Sequence, residues 1–124
     1  MTGEPRSFGE QTENDAVGFL RGEGYRIIDR NVRFRRGEID LVAYEGEVLV
    51  FVEVKGRRNN RFGGARWAVD ERKQKRIGRL AREYLARKRV ADSPCRFDLV
   101  LVQDGSGGKR KIELIRNAFD ATGE

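Results

Sequence analysis

Asp40 and the tripeptide Glu53-Val54-Lys55 contain the residue types that hold a hard cation and stabilise an anion. The segment between them includes Tyr44-Glu45-Gly46-Glu47-Val48, in which glycine at the first central position fits a two-residue type II′ hairpin turn. Counting back from that turn places Asp40 opposite Glu53 on antiparallel strands. Opposed Cβ atoms lie only about 5 Å apart, and like charges there destabilise a sheet. The pattern therefore predicts a bound Mg²⁺ or Mn²⁺, because such cations prefer oxygen ligands.

Lys55 shares a sheet face with Glu53, because side chains two residues apart on a strand point the same way. From that position it could orient a water molecule or stabilise a phosphate oxyanion. A purely structural alternative is that Lys55 forms an ordinary cross-strand salt bridge with Glu38, while Asp40 and Glu53 lie at strand ends that are exposed to water. A register slip of one residue would move Asp40 to the other face of the sheet. The hypothesis of an acidic site thus depends on the hairpin turn.

Two ionisable residues lie on the apolar stripes of predicted helices. Glu13 precedes Ala16 and Leu20 at helical spacing, so it belongs to the core-facing side of the first helix. A buried carboxylate is costly unless it is paired or bound to metal. We therefore expect Glu13 to complete the catalytic and metal-binding set. Lys73 lies four residues before Ile77, where it either extends along the surface to solvent or contributes to ligand binding.

The basic residues are concentrated in one part of the chain. The 124 residues contain 26 Lys and Arg against 20 Asp and Glu, a net charge of +6 with a pI near 9.9, yet the segment 55–89 alone carries +11. The planar guanidinium group of arginine can bind two phosphate oxygens at once, so this segment predicts nucleic-acid binding. A solvated helix face is the alternative interpretation. The predicted binding residues are Arg57, Arg58, Arg61, Lys73, Lys75, Arg79 and Arg82.

Composition excludes several classes of chemistry. The chain has no histidine, which rules out serine or cysteine triads that need an imidazole base, and its single cysteine, Cys95, rules out an internal disulfide. No apolar run approaches the roughly 20 residues of a membrane helix, and the N-terminus lacks a secretory signal. We expect a cytoplasmic protein with no membrane partner. The length indicates one domain, 8–119, between short tails at 1–7 and 120–124.

The order of predicted elements is αβββαββ, which is typical of an α/β protein. Gly24 fits a left-handed cap at the end of the first helix. The apolar stripe of the second helix consists of Val69, Ile77, Leu80, Tyr84 and Leu85. The predicted helices span 8–23 and 67–89, the strands span 25–34, 38–44, 48–54, 97–102 and 111–115, and a loop covers 56–65.

Several motifs in a fixed order give the chain a family resemblance. They are Gly24-Tyr25-Arg26-Ile27-Ile28 to Asn31, Gly37-Glu38-Ile39-Asp40-Leu41, Phe51-Val52-Glu53-Val54-Lys55, Arg61-Phe62-Gly63, Arg96-Phe97-Asp98 and Asn117-Ala118-Phe119. From Gly9 to Phe119 the chain closely resembles the bacterial UPF0102 family, also called YraN. That family is similar to the restriction-endonuclease-like, or PD-(D/E)xK, superfamily, with archaeal Holliday-junction resolvases among its nearer relatives.

The resemblance implies a central mixed five-stranded sheet flanked by helices. It places the first acid of the superfamily site on Asp40, the acid-x-lysine motif on Glu53 and Lys55, and the helix glutamate on Glu13. Ile39 departs from the pattern, which has proline before the aspartate.

Three hypotheses for function follow from these residues. The leading one is a Mg²⁺-dependent endonuclease acting on DNA, favoured over RNA, with branched or junction DNA among the candidate substrates. The second is a nucleic-acid-binding module that keeps the fold without catalysis, and the third is a protein-interaction adaptor. A homodimer is left open.

Overall fold

The computed structural model describes residues 7–57, 70–90, 94–105 and 109–120, and it confirms the predicted order of elements. Strand β3 is longer than predicted and includes Gly56 and Arg57, which pair with Val102 and Gln103 of β4. The predicted loop 56–65 is therefore wrong at its first two residues, and its remainder, 58–65, lies outside the described residues. The elements are α1 Phe8–Gly22, β1 Arg26–Phe34, β2 Gly37–Glu45, β3 Val48–Arg57, α2 Glu71–Lys88, β4 Cys95–Asp104 and β5 Arg110–Ile115.

The five strands form one mixed sheet in the order β1-β2-β3-β4-β5. Neighbouring strands are antiparallel except β3 and β4, which are parallel and are connected through α2. A parallel pair needs a crossover of this kind, because the connection must return to the end of the sheet where the first strand began, and a short turn cannot span that distance. The predicted mixed five-stranded sheet is therefore confirmed.

The two helices pack on opposite faces of the sheet. On the α1 face, Ala16, Val17 and Leu20 pack against a cluster that includes Leu41 and Val52. On the α2 face, the buried residues of the helix pack against Ile39, Val42, Leu49, Phe51 and Phe97; they are Ile77, Leu80, Ala81 and Tyr84. Val69, predicted for the same stripe, lies outside the described residues.

Both ends of α1 are capped by hydrogen bonds from residues close in the chain, of which only the cap at Gly24 was predicted. Ser7 caps the N-terminus: its hydroxyl accepts a hydrogen bond from the Glu10 amide, and its own amide donates to the Glu10 side chain. At the other end the amides of Gly24 and Tyr25 donate to the carbonyls of Arg21 and Leu20, and Gly24 adopts a φ of 97°. This is a Schellman motif, which confirms the predicted left-handed cap at Gly24.

The hairpin turn between β2 and β3 has the predicted register. Gly46 adopts a φ of 63° while Glu47 keeps a negative φ, as a type II′ turn requires. The pairing runs from Glu45 opposite Val48 to Leu41 opposite Val52. Asp40 and Glu53 are the next residues beyond the last pair.

Side-chain alternation in β2 breaks beside Asp40. Strict alternation would place Ile39 on the face of Leu41, but Ile39 packs in the α2-side cluster with Val42 and Phe51. Asn31, which would oppose Asp40 from β1, has a φ of 52° and is missing from the β1–β2 pairing. Ile39 therefore lies on the opposite side of the sheet from Leu41 and Ala43, and regular alternation is interrupted between Ile39 and Leu41.

Helix α2 is strongly amphipathic rather than uniformly apolar. Its outer face is charged, so its apolar area is confined to the side that covers the sheet. Neither helix of the described residues combines the length and apolar character needed to cross a bilayer.

Candidate active site

Asp40 lies where strands β2 and β3 separate. One of its carboxylate oxygens, Oδ2, accepts a hydrogen bond of 2.9 Å from the backbone amide of Val54. A side chain thus takes an amide that a regular ladder would give to a neighbouring carbonyl. Asp40 and Glu53 both line a small cavity next to Ile77 and Phe119, so they are neighbours as predicted. They come together just beyond the last paired residues of β2 and β3, and not within the regular pairing of the two strands.

The surroundings of Asp40 disfavour its charged form. Burial, followed by the negative charge of Glu53, raises the pKa of Asp40 to about 7, although the hydrogen bond from Val54 opposes this change. Glu38 and Glu13 add smaller effects of the same sign. A carboxyl group with this pKa beside a second carboxylate is a typical feature of functional sites.

Glu53 is held by two lysines on the α2 face of the sheet. Lys73 Nζ lies 2.8 Å from Glu53 Oε2, and Lys55 Nζ lies 4.0 Å from the same atom. Lys73 was predicted as a nucleic-acid contact, but its ammonium group faces Glu53. The acidic and basic parts of the site are therefore joined by α2, which the Glu-x-Lys spacing alone did not indicate.

The pKa values of the two lysines move in opposite directions. Burial, together with a hydrogen bond from Lys73 and its charge, lowers the pKa of Lys55. Burial alone would lower the pKa of Lys73 as well, but its hydrogen bonds to Glu53 and Lys55 raise it. Lys73 is thus the cation that neutralises Glu53, and Lys55 is the amine more easily deprotonated.

Glu13 faces the same cleft as Asp40 from helix α1. This cleft has a volume of about 360 Å³, and Thr12, Asn31 and Gly56 also line it. Glu13 Oε1 accepts hydrogen bonds from Arg30, at 2.8 Å, and from Asn31, at 3.0 Å. Glu13 therefore lies on the expected side of its helix, and its role in metal binding stays a prediction.

The donor atoms of the cluster suit a hard divalent cation. Asp40 and Glu53 supply carboxylate oxygens, and the mutual repulsion of two such groups would be relieved by a cation between them. Within the described residues, no group of three or more histidine, cysteine, aspartate or glutamate side chains is arranged to hold a metal ion. Asp40 and Glu53 are two carboxylates that could hold such a cation, and Glu13 stays a predicted third ligand.

Gly56 allows helix α1 to approach the sheet beside the cleft. A Cβ atom at Gly56 would lie 2.8 Å from Thr12 Cγ2 and 3.0 Å from Phe8 Cε2. We expect Gly56→Ala to lower the free energy of unfolding by about 1–3 kcal/mol, because the added methyl must displace these side chains. Urea unfolding would measure the change.

Gly18→Ala is the matched control for that experiment. Gly18 lies in α1, and a Cβ atom there would have no neighbour within 4 Å. Alanine should therefore stabilise the helix by about 0.5–1 kcal/mol. Equal effects of the two substitutions would contradict the close approach at Gly56.

Of the remaining predicted nucleic-acid contacts, those that the structure describes lie at the C-terminal end of β3 and along α2. Arg57 is exposed at the end of β3. Arg58 and Arg61 lie outside the described residues. On α2, the exposed basic residues include all three that were predicted: Lys75, Arg79 and Arg82.

A buried polar network was not predicted from the sequence. Asp98 is fully buried, and its carboxylate accepts hydrogen bonds from Tyr25, at 2.6 Å, and from Arg96, at 2.8 and 2.9 Å. The amide of Asn117 donates to it as well, and Arg96 also contacts Glu45. The available signal was an aspartate in an apolar strand segment, within the motif Arg96-Phe97-Asp98, to which no role had been assigned.

Fold and site together define a class of protein. The αβββαββ order and the mixed five-stranded sheet with a helix on each face are those of an α/β protein, and its Asp and Glu-x-Lys residues lie on adjacent strands. The family described as "Uncharacterised protein family UPF0102" matches residues 12–102. The chain belongs to this family.

Similar proteins of known sequence span almost its whole length. A UPF0102 protein of Symbiobacterium thermophilum is 55% identical over 116 residues, which cover 94% of this chain and 98% of the relative. One from Magnetococcus marinus is 46% identical, with 93% of each chain covered. Among solved structures, that of Pyrococcus furiosus SfsA in complex with Ca²⁺ aligns with a TM-score of 0.41 and 16% identity, covering 87% of this chain and 62% of the other.

Proposed function

We propose that this protein is a divalent-metal-dependent nuclease that hydrolyses phosphodiester bonds in DNA. The observation that carries the proposal is the position of Asp40, whose carboxyl group lies beside Glu53 at the open end of two strands. Asp40 also lines a cleft open to solvent, so a phosphate group has access to it. The fold class agrees with this proposal, although a fold alone does not specify an activity.

Each residue of the cluster has a role in this proposal. Asp40 and Glu53 would hold Mg²⁺ or Mn²⁺, which when bound activates water and offsets charge on the phosphate. Lys55 has a lowered pKa, so it suits the task of orienting a water molecule and accepting its proton. Lys73 holds Glu53 in place from α2. Glu13 keeps a carboxylate at the opposite wall of the cleft.

The charge distribution supports a nucleic-acid substrate. Exposed basic residues on α2 and at the end of β3 lie on elements that also carry Lys73 and Glu53. Phosphate contacts of this kind position a nucleic acid without reading its bases. DNA therefore remains the proposed substrate because of the resemblance to endonucleases rather than because of any base-reading residue.

Cleavage in the presence of Mg²⁺ or Mn²⁺ is expected to fall at least 100-fold in Asp40→Asn and in Glu53→Gln. Each change keeps the size of the side chain but removes the charge needed to hold a cation, which corresponds to about 3 kcal/mol of lost stabilisation. The measurement is a gel assay over single-stranded, duplex, flap and four-way-junction DNA. Glu83→Gln on the exposed side of α2 is the matched control and should cleave normally.

A non-catalytic nucleic-acid-binding module is the second candidate. It is favoured by the salt bridge of Lys73 with Glu53 and by that of Arg30 with Glu13, since these cations already neutralise two of the acids. In that case DNA would bind in a salt-dependent manner and stay intact with either metal, and Asp40→Asn would bind as well as the wild type.

A further inference from the structure

The turn between β1 and β2 packs directly on the middle of helix α2. A Cβ atom at Gly37 would lie 3.1 Å from Leu80 Cδ1 and 3.8 Å from Arg76 Cδ. Further along the helix, the guanidinium of Arg87 lies 4.3 Å from the ring centre of Phe34. These contacts fix the turn, so the exposed residues Arg35 and Arg36 lie next to the exposed flank of α2.

Four arginines form a basic surface at this junction, which we name the arginine ridge. Arg72 and Arg76 lie one helical turn apart on the same flank of α2, and Arg35 and Arg36 extend that flank across the turn. In the part of the chain that the structure describes, none of the four forms a salt bridge. Acidic residues adjoin the ridge in the chain as well: Glu38, which pairs with Arg33 at 3.9 Å, and Glu71, which directly precedes Arg72.

The arginine ridge adjoins the candidate active site through two connections. Arg72 directly precedes Lys73, which contacts Glu53, and the turn directly precedes the segment that carries Asp40. A nucleic-acid backbone that reaches the acidic cluster on the α2 side would therefore continue along the ridge. The residues predicted from the sequence for binding did not include these four arginines.

We propose that the arginine ridge binds the phosphate backbone of a double-stranded arm that flanks the cleavage site; this inference rests on the proposed function. Proteins that hold single strands stack the bases on aromatic side chains. Among the described residues, the one exposed large apolar side chain is Ile28, and the ring of Phe34 is covered by Arg87. As far as the described residues extend, the ridge thus offers phosphate contacts without a stacking surface, which suits a duplex.

The test compares binding of two DNA probes by full-length variants. A short fluorescein-labelled blunt duplex and its single strand are titrated in EDTA at several salt concentrations, with fluorescence anisotropy as the readout. The ridge variant is Arg35→Gln, Arg36→Gln, Arg76→Gln. The control, Arg21→Gln, Lys109→Gln, Lys111→Gln, removes the same charge from exposed positions elsewhere.

The ridge variant is expected to bind the duplex at least tenfold more weakly at low salt, with a log-log salt slope smaller by about 2.7, which is 0.9 for each of three lost contacts. The control variant should keep both values within a factor of about two. Equal losses in the two variants, an unchanged salt slope or a larger loss for the single strand would overturn the inference. The binding titration contains EDTA, which prevents cleavage, so its result is independent of the separate cleavage assay with Mg²⁺ or Mn²⁺. If the binding test overturns the role of the ridge while the wild type still cleaves DNA with metal, the proposed function stands. If the ridge variant loses duplex binding as expected but the wild type cleaves no DNA with either metal, the binding surface is supported and the nuclease proposal is rejected.

Discussion

Replacing Asp40 with asparagine is expected to stabilise the metal-free protein by about 2–4 kcal/mol at pH 8. In the folded protein, burial and the charge of Glu53 raise the pKa of Asp40 to about 7, from an ordinary value of 3.8. A pKa difference of one between the folded and unfolded states corresponds to about 1.4 kcal/mol. Asparagine has no charge to bury, and its carbonyl can still accept the hydrogen bond from the Val54 amide.

The size of this effect depends on pH, while its sign stays the same. Below about pH 4 the carboxyl group is protonated in both states and costs nothing. Between pH 4 and pH 7 the unfolded chain loses this proton while the folded protein retains it, so the free energy of unfolding falls as pH rises. Above pH 7 both states are ionised, and the cost to the folded state is complete.

Urea unfolding of both proteins in EDTA, near pH 5 and near pH 8, measures this cost. The advantage of the asparagine variant should be clearly larger near pH 8. Added Mg²⁺ should then raise the stability of the wild type more than that of the variant, because a ligand that binds only the folded state stabilises it. If the asparagine variant were more stable than the wild type by the same amount at both pH values, ionisation of Asp40 would not be what destabilises the folded protein.

Replacing Arg96 with methionine is expected to lower the free energy of unfolding by about 3–5 kcal/mol. Arg96 contacts both oxygens of Asp98, which is fully buried, and its removal leaves a buried carboxylate without its cationic partner. Tyr25 and the amide of Asn117 still donate to Asp98, but they carry no charge. Thermal and urea unfolding would both report the loss.

Two further variants separate the buried charge from other effects of that change. The double variant Arg96→Met, Asp98→Asn should recover much of the stability, because no uncompensated charge remains. Arg110→Met removes an arginine with two acidic partners at the exposed edge of the sheet, Asp15 and Asp104, and should cost far less. Similar losses for Arg96→Met and Arg110→Met would contradict the importance of burial.

Local chemistry made much of this protein predictable. Helix α1 begins and ends at residues with capping chemistry, Ser7 and Gly24, and each needs only its immediate neighbours. Gly46 set the turn between β2 and β3, and because strand side chains alternate, the turn brought Asp40 and Glu53 to the same end of the hairpin. Local patterns therefore predicted the elements and their order, and they brought Asp40 and Glu53 close together.

Contacts between distant segments were not predictable in the same way. The pairing of Lys73 with Glu53 depends on how α2 packs on the sheet, and that of Glu13 with Arg30 depends on the packing of α1. The change of face at Ile39 occurs beside the left-handed backbone of Asn31 on the neighbouring strand. None of these leaves a periodic signal, since each side chain selects its partner only after two elements have packed.

The buried position of Asp98 illustrates the same limit most clearly. An aspartate within an apolar strand is costly by its type alone, yet it is stable here because Arg96, two residues away on the same strand, is joined by donors from two distant segments, Tyr25 and Asn117. Spacing along the chain contains no information about such a convergence. Hydrogen bonds and charge pairs across the core are specified by three-dimensional packing, whereas helices, strands and tight turns are specified by residues close together in the chain.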